Sequence, residues 1–307
     1  MSVPSPALLK LMSEVIAGHA PFDELVRRIG SDHSQTDHAS YSTDGRAPAD
    51  GRAPADVFDQ IRCVPGATVD LGRPARCGFG EVIYGEGKSV ELICEIIAAQ
   101  LEAGQSSLVT RIESGCAFQV RQSFPFACHN PVAHTLRISR SPLTSASSIS
   151  MEQLATTRHA AVVCAGSTDS HVAEEAIETL SWMGIPWQRF DDIGVAGPQR
   201  LLAVLPHLQH ASAVVVVAGM EGALPSVVAG HLRCPVFAVP TSVGYGAALH
   251  GLTPLLGMLT SCTANVAVVN IDAGFKGGYM AGLVVDQLKR YQPGTSEPAR
   301  DEQLAAV

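Results

Sequence analysis

Three short apolar runs, Ala213–Ala218, Val236–Val239 and Val266–Ile271, limit what this chain can fold into more than any other feature. Each is too short to be a lone helix and is rich in β-branched residues, which suit strands buried on both faces of a sheet. Each ends in Gly, Ser, Thr, Asn or Asp, and the first two lead into helix-like stretches. Strand, small polar loop and helix form the unit of an open parallel α/β sheet, in which ligands bind outside the carboxyl ends of the strands. Those ends are Gly219-Met220-Glu221-Gly222, Thr241-Ser242-Val243-Gly244-Tyr245-Gly246 and Asn270-Ile271-Asp272-Ala273-Gly274. Cys262 sits just upstream of the third run, after an apolar helix Leu252–Leu259.

Two further strands precede these, Ala160–Cys164 and Ile185–Phe190, followed by helices His171–Met183 and Pro198–Leu208. Five such units over residues 151–290 predict a flavodoxin-like, doubly wound parallel sheet in three α/β/α layers, with strand order 2-1-3-4-5. Strands one and three then flank the switch point, which brings loops 165–170 and 219–225 together. Residues 57–150 read as a smaller α+β domain with a linker at 139–150. It contains a helix Val90–Glu102 capped by Ser89, and strands Leu108–Ile112 and Thr135–Ile138. Residues 1–30 read as a helical segment (Pro6–Gly18 and Phe22–Gly30), and 291–307 as a polar tail. Between them, 31–56 is polar and carries DGRAPA twice in tandem, which reads as a disordered insertion.

The 307 residues are 46% hydrophobic and 16% charged, enough for a sizeable core. A net charge of −8 argues against a nucleic-acid surface. No apolar run nears the roughly 18 residues that cross a bilayer, and no basic-then-apolar leader is visible, so a cytoplasmic protein without a membrane partner is expected. None of the eight cysteines forms a Cys-x-x-Cys pair, and most are expected to be small buried hydrophobes.

Several residues could carry chemistry. Gly166-Ser167-Thr168-Asp169-Ser170 opens a helix with hydroxyls and amides, as an anion site does, or simply caps that helix. Glu221, bounded by Gly219 and Gly222, can serve as a base or bind a hydroxyl or metal, or can sit favourably in a first helical turn. Arg73, Arg76 and Lys88 either converge on phosphate or pair with Asp70, Glu81 and Glu86. His207 and His210 have no third ligand, so no metal site is assigned. Cys262 is either core or a substrate-facing thiol.

Long ordered motifs add a resemblance. Residues 151–282 look like the carboxylase/mutase acting on aminoimidazole ribonucleotide in purine synthesis. Most of the chain outside the insertion is similar to the nickel-pincer-nucleotide biosynthesis carboxylase/hydrolase family, the pyridinium-3,5-biscarboxylic acid mononucleotide synthases. The matching motifs are Asp70-x-x-Arg73-x-x-Arg76-x-Gly78-Phe79-x-Glu81-Val82-Ile83-Tyr84-Gly85, Gly194-Val195-Ala196-Gly197 and Ala218-Gly219-Met220-Glu221-Gly222-Ala223-Leu224-Pro225-Ser226. They continue with Val239-Pro240-Thr241-Ser242-Val243-Gly244-Tyr245-Gly246, Ser261-Cys262 and Asn270-Ile271-Asp272-x-Gly274-Phe275.

The resemblance implies a substrate, nicotinic acid adenine dinucleotide, whose pyridinium ring is carboxylated by carbon dioxide while its phosphoanhydride is hydrolysed to release AMP. Cys262 would be the nucleophile and Glu221 the base, with Gly166, Ser167, Thr168 and Asp169 holding phosphate. Gly219, Met220, Gly222, Ser226, Thr241, Ser242, Gly244, Tyr245, Asp272, Arg73, Arg76 and Lys88 would complete the binding site. Magnesium is the expected counter-ion of the pyrophosphate, with no tightly bound organic cofactor. A homo-oligomer, an octamer by the resemblance, is expected through the segment Gly246–Leu259. The chain departs from the family at Gln199, where His is usual, at Gly80, where Pro is frequent, and in the insertion. Two alternatives are an aminoimidazole ribonucleotide carboxylase/mutase and a non-catalytic nucleotide-binding protein.

Overall fold

The computed structural model describes Ala7, Lys10, Glu14, Val15, residues 60–140 and residues 148–290. The four N-terminal positions are helical and belong to a unit of residues 1–53, separate from the unit 54–307 that holds everything below. The expected helices over 6–18 and 22–30 (those four positions apart), the insertion 31–56 and the tail 291–307 lie outside the described residues.

The larger sheet comprises β7 (Ala160–Cys164), β8 (Trp187–Phe190), β9 (Ala213–Ala218), β10 (Val236–Pro240) and β11 (Val266–Val268), in the order β11-β10-β9-β7-β8. All four pairings are parallel, so the predicted order 2-1-3-4-5 and the flavodoxin-like class hold. Helices α5 (Pro198–Leu208), α6 (Leu224–Ala229) and α7 (Leu252–Leu259) pack Leu201, Leu208, Val228 and Met258 on one face. Helices α4 (Ser170–Trp182) and α8 (Gly274–Arg290) pack Val172, Leu180, Ala281 and Val285 on the other. Every residue of β7, β9 and β10 is buried, as their valine-rich runs require.

Two strands are shorter than expected. β8 begins at Trp187, after Pro186, rather than at Ile185. β11 ends at Val268, because the chain then turns: the Asn270 side chain accepts the Ile271 amide and Asp272 donates to the Pro240 carbonyl.

Helix α8 has no counterpart among the predicted elements. Four glycines lower its helix propensity, yet close packing demands them. A Cβ on Gly274 would stand 2.1 Å from the Val172 carbonyl oxygen, and one on Gly278 2.5 Å from that of Ala176. Glycine here lets α8 lie backbone to backbone on α4.

The smaller sheet comprises β3 (Ile83–Tyr84), β4 (Ser107–Thr110), β6 (Thr135–Ile138) and β5 (Ala127–Asn130), in that order. Helices α2 (Val90–Glu102) and α3 (Ser114–Ser123) cover it through Ile93, Ile97, Ala117 and Val120. Ser89 accepts the Leu92 amide as the expected cap. β4 stops at Thr110, not Ile112, because Arg111 adopts a left-handed φ of 54°. A hairpin of β1 (Ile61–Val64) and β2 (Ala67–Asp70) and a short helix α1 (Arg73–Cys77) precede this sheet. Phe79 packs on Trp182 and Tyr279, and the Trp182 indole donates to the Ser106 carbonyl at 3.1 Å, so the two sheets share one interface.

Burial of the cysteines corrects an expectation. Only Cys164 is buried; Cys63, Cys77, Cys128 and Cys262 are exposed, and none of the eight is in a disulfide. Cys63 and Cys128 lie on strands that each pair on one side only, and Cys77 ends a helix with no buried residue.

Replacing Gly278 with Ala would gain helix propensity but press a methyl onto the α4 backbone. Gly278→Ala is expected to destabilise by about 1–3 kcal/mol, the usual cost of overpacking. Denaturant unfolding measures it, and a stability equal to the parent's would show that the two helices part without cost.

Candidate active site

The carboxyl ends of β7, β8 and β9 open onto a cleft of about 250 Å³. Gly166, Thr168 and Asp169 form one wall, Gly219, Met220 and Glu221 a second, and Gly194, Val195 and Ala196 a third. The loops after strands one and three thus meet where the strand order predicts. The volume is slightly below the roughly 300–1,000 Å³ of ordinary ligand pockets.

At the first wall no side chain of the turn caps the following helix. The opening amides of a helix have no intrahelical partner, so those of the Ser167–Thr168 turn are suited to an anion. Asp169 instead reaches across the switch point: Thr241 Oγ1 donates to Asp169 Oδ1 at 2.6 Å, with both residues buried. Burial raises the Asp169 carboxyl pKa above its usual range, against the hydrogen bonds from Thr241 and Gly166 that lower it. Cys164 lies beneath the turn with its thiol donating to the Gly166 carbonyl, and burial pushes its pKa up to about 12, so it is inert.

The second wall needs its glycines. A Cβ on Gly219 would stand 2.3 Å from the Val243 carbonyl oxygen, and Gly222 has a φ of 71°. Met220, at φ 52°, donates its amide to that same carbonyl at 3.1 Å, which ties the β9 loop to the β10 loop. Ser242 is held in turn, its amide donating to Asp272 Oδ1 at 2.8 Å. Glu221 lines the cleft and is solvent-exposed.

Other expected residues lie elsewhere. Ser226 Oγ is 2.7 Å from Ser261 Oγ, so it anchors the loop that carries Cys262. Cys262 is exposed and outside the cleft lining. Tyr245 is 82% exposed and follows Gly244, which has φ 149°. Arg73, Arg76 and Lys88 do not line the cleft. Arg76 pairs with Asp70 at 2.5 Å, and Lys88 donates to the Tyr84 carbonyl at 2.8 Å. Glu81 accepts the Asp70 amide at 2.8 Å, so much of this motif serves to build the small domain.

Arg200 was not singled out in the sequence. It opens α5 with its guanidinium 3.6 Å from where a Gly194 Cβ would stand, and it pairs with Asp192 at 2.5 Å. A basic residue three positions beyond a glycine turn at a strand's carboxyl end was the available signal. Gln199 beside it is exposed. Among the described residues, no group of three His, Cys, Asp or Glu side chains could hold a metal ion. Asp169 and Asp272 are engaged by Thr241 and Ser242, so the residues present do not form a protein cage for magnesium. No helix among the described residues is long and apolar enough to cross a membrane.

Comparison with known proteins agrees with this architecture. A family described as "LarB/PurE-like N-terminal domain" matches residues 61–140, and one described as "AIR carboxylase" matches residues 159–295. The chain is 36% identical over 220 residues to the uncharacterized protein MJ0165 of Methanocaldococcus jannaschii, an alignment spanning 70% of this chain and 82% of that protein. A flavodoxin-like AIR carboxylase domain behind this smaller domain defines a carboxylase/mutase-type enzyme. The chain belongs to the LarB family.

Asp169 offers a test of how the cleft is maintained. A carboxyl whose folded pKa is raised contributes stability that is complete below its unfolded value, about 3.9, and is lost as pH rises through the folded value. The ionised group is therefore a burden at neutral pH. Asp169→Asn can still accept from Thr241, so it should raise Tm at pH 7, with the gain shrinking as the pH falls. Calorimetry across pH measures this; a lowered Tm at pH 7 would mean that the carboxylate is compensated in place.

Proposed function

We propose that this enzyme carboxylates the pyridinium ring of nicotinic acid adenine dinucleotide and hydrolyses its phosphoanhydride, releasing AMP and a biscarboxylate mononucleotide. The observation that carries the reading is the meeting of the Ser167–Asp169 turn and the Gly219–Gly222 loop in one cleft, with Glu221 on its wall. Family membership supports a carboxylase working on a nucleotide-type substrate with carbon dioxide.

In this reading the mononucleotide phosphate rests on the amides of Ser167 and Thr168, with Arg200 nearby as its cation. A pyridinium is electron-poor and does not attack carbon dioxide. Addition of the Cys262 thiolate para to the ring nitrogen makes a dienamine, nucleophilic at the free meta carbon. That carbon bonds to carbon dioxide, Glu221 takes the proton it bore, and expulsion of the thiolate restores aromaticity. Water cleaves the phosphoanhydride separately. Magnesium in this scheme arrives with the substrate's phosphates, and no step is derived through it.

The exposed thiol and the small cleft favour a second copy of the chain as the rest of the site. Leu256, Leu259, Val227 and Tyr245 are all exposed on α6, α7 and the loop before α7. A second copy seated here would cover these apolar side chains, and closed symmetry is the usual result of such association.

Incubation with the dinucleotide and bicarbonate, read by mass spectrometry, tests the reaction. The expected product carries one more carboxylate and no AMP moiety. Unchanged dinucleotide beside turnover of an aminoimidazole ribonucleotide would replace this reading with the purine-pathway one. Cys262→Ser should abolish carboxylation while leaving dinucleotide affinity within about tenfold, or roughly 1.4 kcal/mol; carboxylation at the parent rate would remove the thiol from the mechanism. Light scattering should find a multiple of 32.2 kDa. Leu259→Arg should reduce it to the monomer together with the activity, and an unchanged assembly would put the interface elsewhere.

A further inference from the structure

Arg111 follows β4 in the small domain and crosses to the large one. Its Nε donates to Glu175 Oε1 at 3.2 Å and its Nη2 to the carbonyl of Asp272. Glu175, 4% exposed within α4, accepts the Phe275 amide on its other oxygen at 3.0 Å, in the first turn of α8. Asp272 accepts the Ser242 amide on its carboxylate at 2.8 Å and donates its own amide to the Pro240 carbonyl at 2.8 Å. Thr241, next to Ser242, donates to Asp169 in the cleft wall. Hydrogen bonds thus run from the small domain to the substrate loop, through two residues.

Simple attachment of the two domains does not need this path. Phe79 already packs on Trp182 and Tyr279, Trp182 bonds Ser106, Arg137 pairs with Glu178, and Asn130 bonds Glu174 and Glu178. Arg111 differs from these in reaching the residue that holds a cleft loop. Both Arg111 and Asp272 are in the left-handed region, at φ 54° and 55°, a conformation that non-glycine residues keep only when their surroundings fix it.

We propose that Arg111 is a positioning residue for the nucleotide site. It holds the Asp272 carbonyl, so that the Asp272 carboxylate fixes the Ser242 amide and with it the loop 241–246, and in this way the small domain shapes the cleft of the large one. The inference rests on the cleft being the substrate site.

Arg111→Gly tests it cleanly, because glycine tolerates the positive φ and only the side chain is lost. Hydrogen exchange should quicken about tenfold or more at Ser242 and Phe275, with β7 and β9 unchanged. In the dinucleotide assay KM should rise about tenfold while kcat changes far less, as expected when binding geometry is lost. Added guanidinium ion should restore part of the loss in the variant and leave the parent unaffected. If the variant does not fold, Arg111→Gly with Glu175→Gln, which removes the orphaned buried charge, takes its place. Unchanged exchange at Ser242, or a quickening spread evenly over the whole large domain, would overturn the proposal. The exchange measurement decides it even if the parent proves inactive on the dinucleotide, since that failure would count against the substrate alone.

Discussion

Two carboxylates at the start of α4 govern where the surrounding chain can go. Asp169 and Glu175 are both buried, and burial raises the pKa of each. A buried charge is costly unless donors are brought to it, and here the donors come from distant parts of the sequence. Thr241 comes from the end of β10 to Asp169, while Phe275 at the start of α8 and Arg111 from the small domain reach Glu175. The loop after β10, the final helix and the small domain are thereby all fixed relative to one helix. That helix also begins at the turn offered to phosphate, so the polar contacts that hold the fold also set the geometry of the site.

The proposed chemistry makes sense of a division visible in the molecule. Anchoring a phosphate requires preorganised amides, and the 166–169 turn is rigidly tied to its neighbours. A thiol that adds to a ring and later leaves must instead be reachable. Cys262 is itself exposed, on a loop held on either side by Ser261 and Thr263, which both bond Ser226. Covalent catalysis of this kind gains from excluding water, which an exposed thiol does not achieve within one chain. The proposed second copy, seated on the exposed apolar side chains of α6 and α7, would supply that exclusion.

The large sheet was legible because valine-rich runs have few other destinations, and its order followed from the handedness and crossover rules. The meeting of two loops in a cleft came with the topology. What escaped sequence reading was decided by contacts. Helix α8 was hidden because Gly274, Gly277, Gly278 and Gly282 argue against a helix when read alone, and only its packing on α4 explains them. From their spacing, Asp70, Arg73 and Arg76 read more readily as an ion-pair network than as a phosphate clamp, and Arg76 does turn to Asp70. Arg111 gave no local sign of its reach, because its partners are 64 and 161 positions away in the chain.

Backbone conformation leads to the same region independently. Among the described residues, seven that are not glycine have positive φ, namely Arg111, His134, Asp192, Met220, Leu249, His250 and Asp272. Met220 lines the cleft, Asp272 holds Ser242, Asp192 pairs with Arg200, and Arg111 reaches Asp272. His134 accepts the Ile112 amide beside Arg111. Each such residue costs on the order of 1–3 kcal/mol and persists only where its neighbours over-determine it. Leu249 and His250 instead fall in the turn before α7, but along the path from Arg111 through Asp272 to Met220 the surrounding hydrogen bonds hold the chain against its local preference. A loop held in this way is preorganised, and preorganisation matters to a ring oriented for attack because a misplacement of about 1 Å can cost roughly 10²-fold in rate.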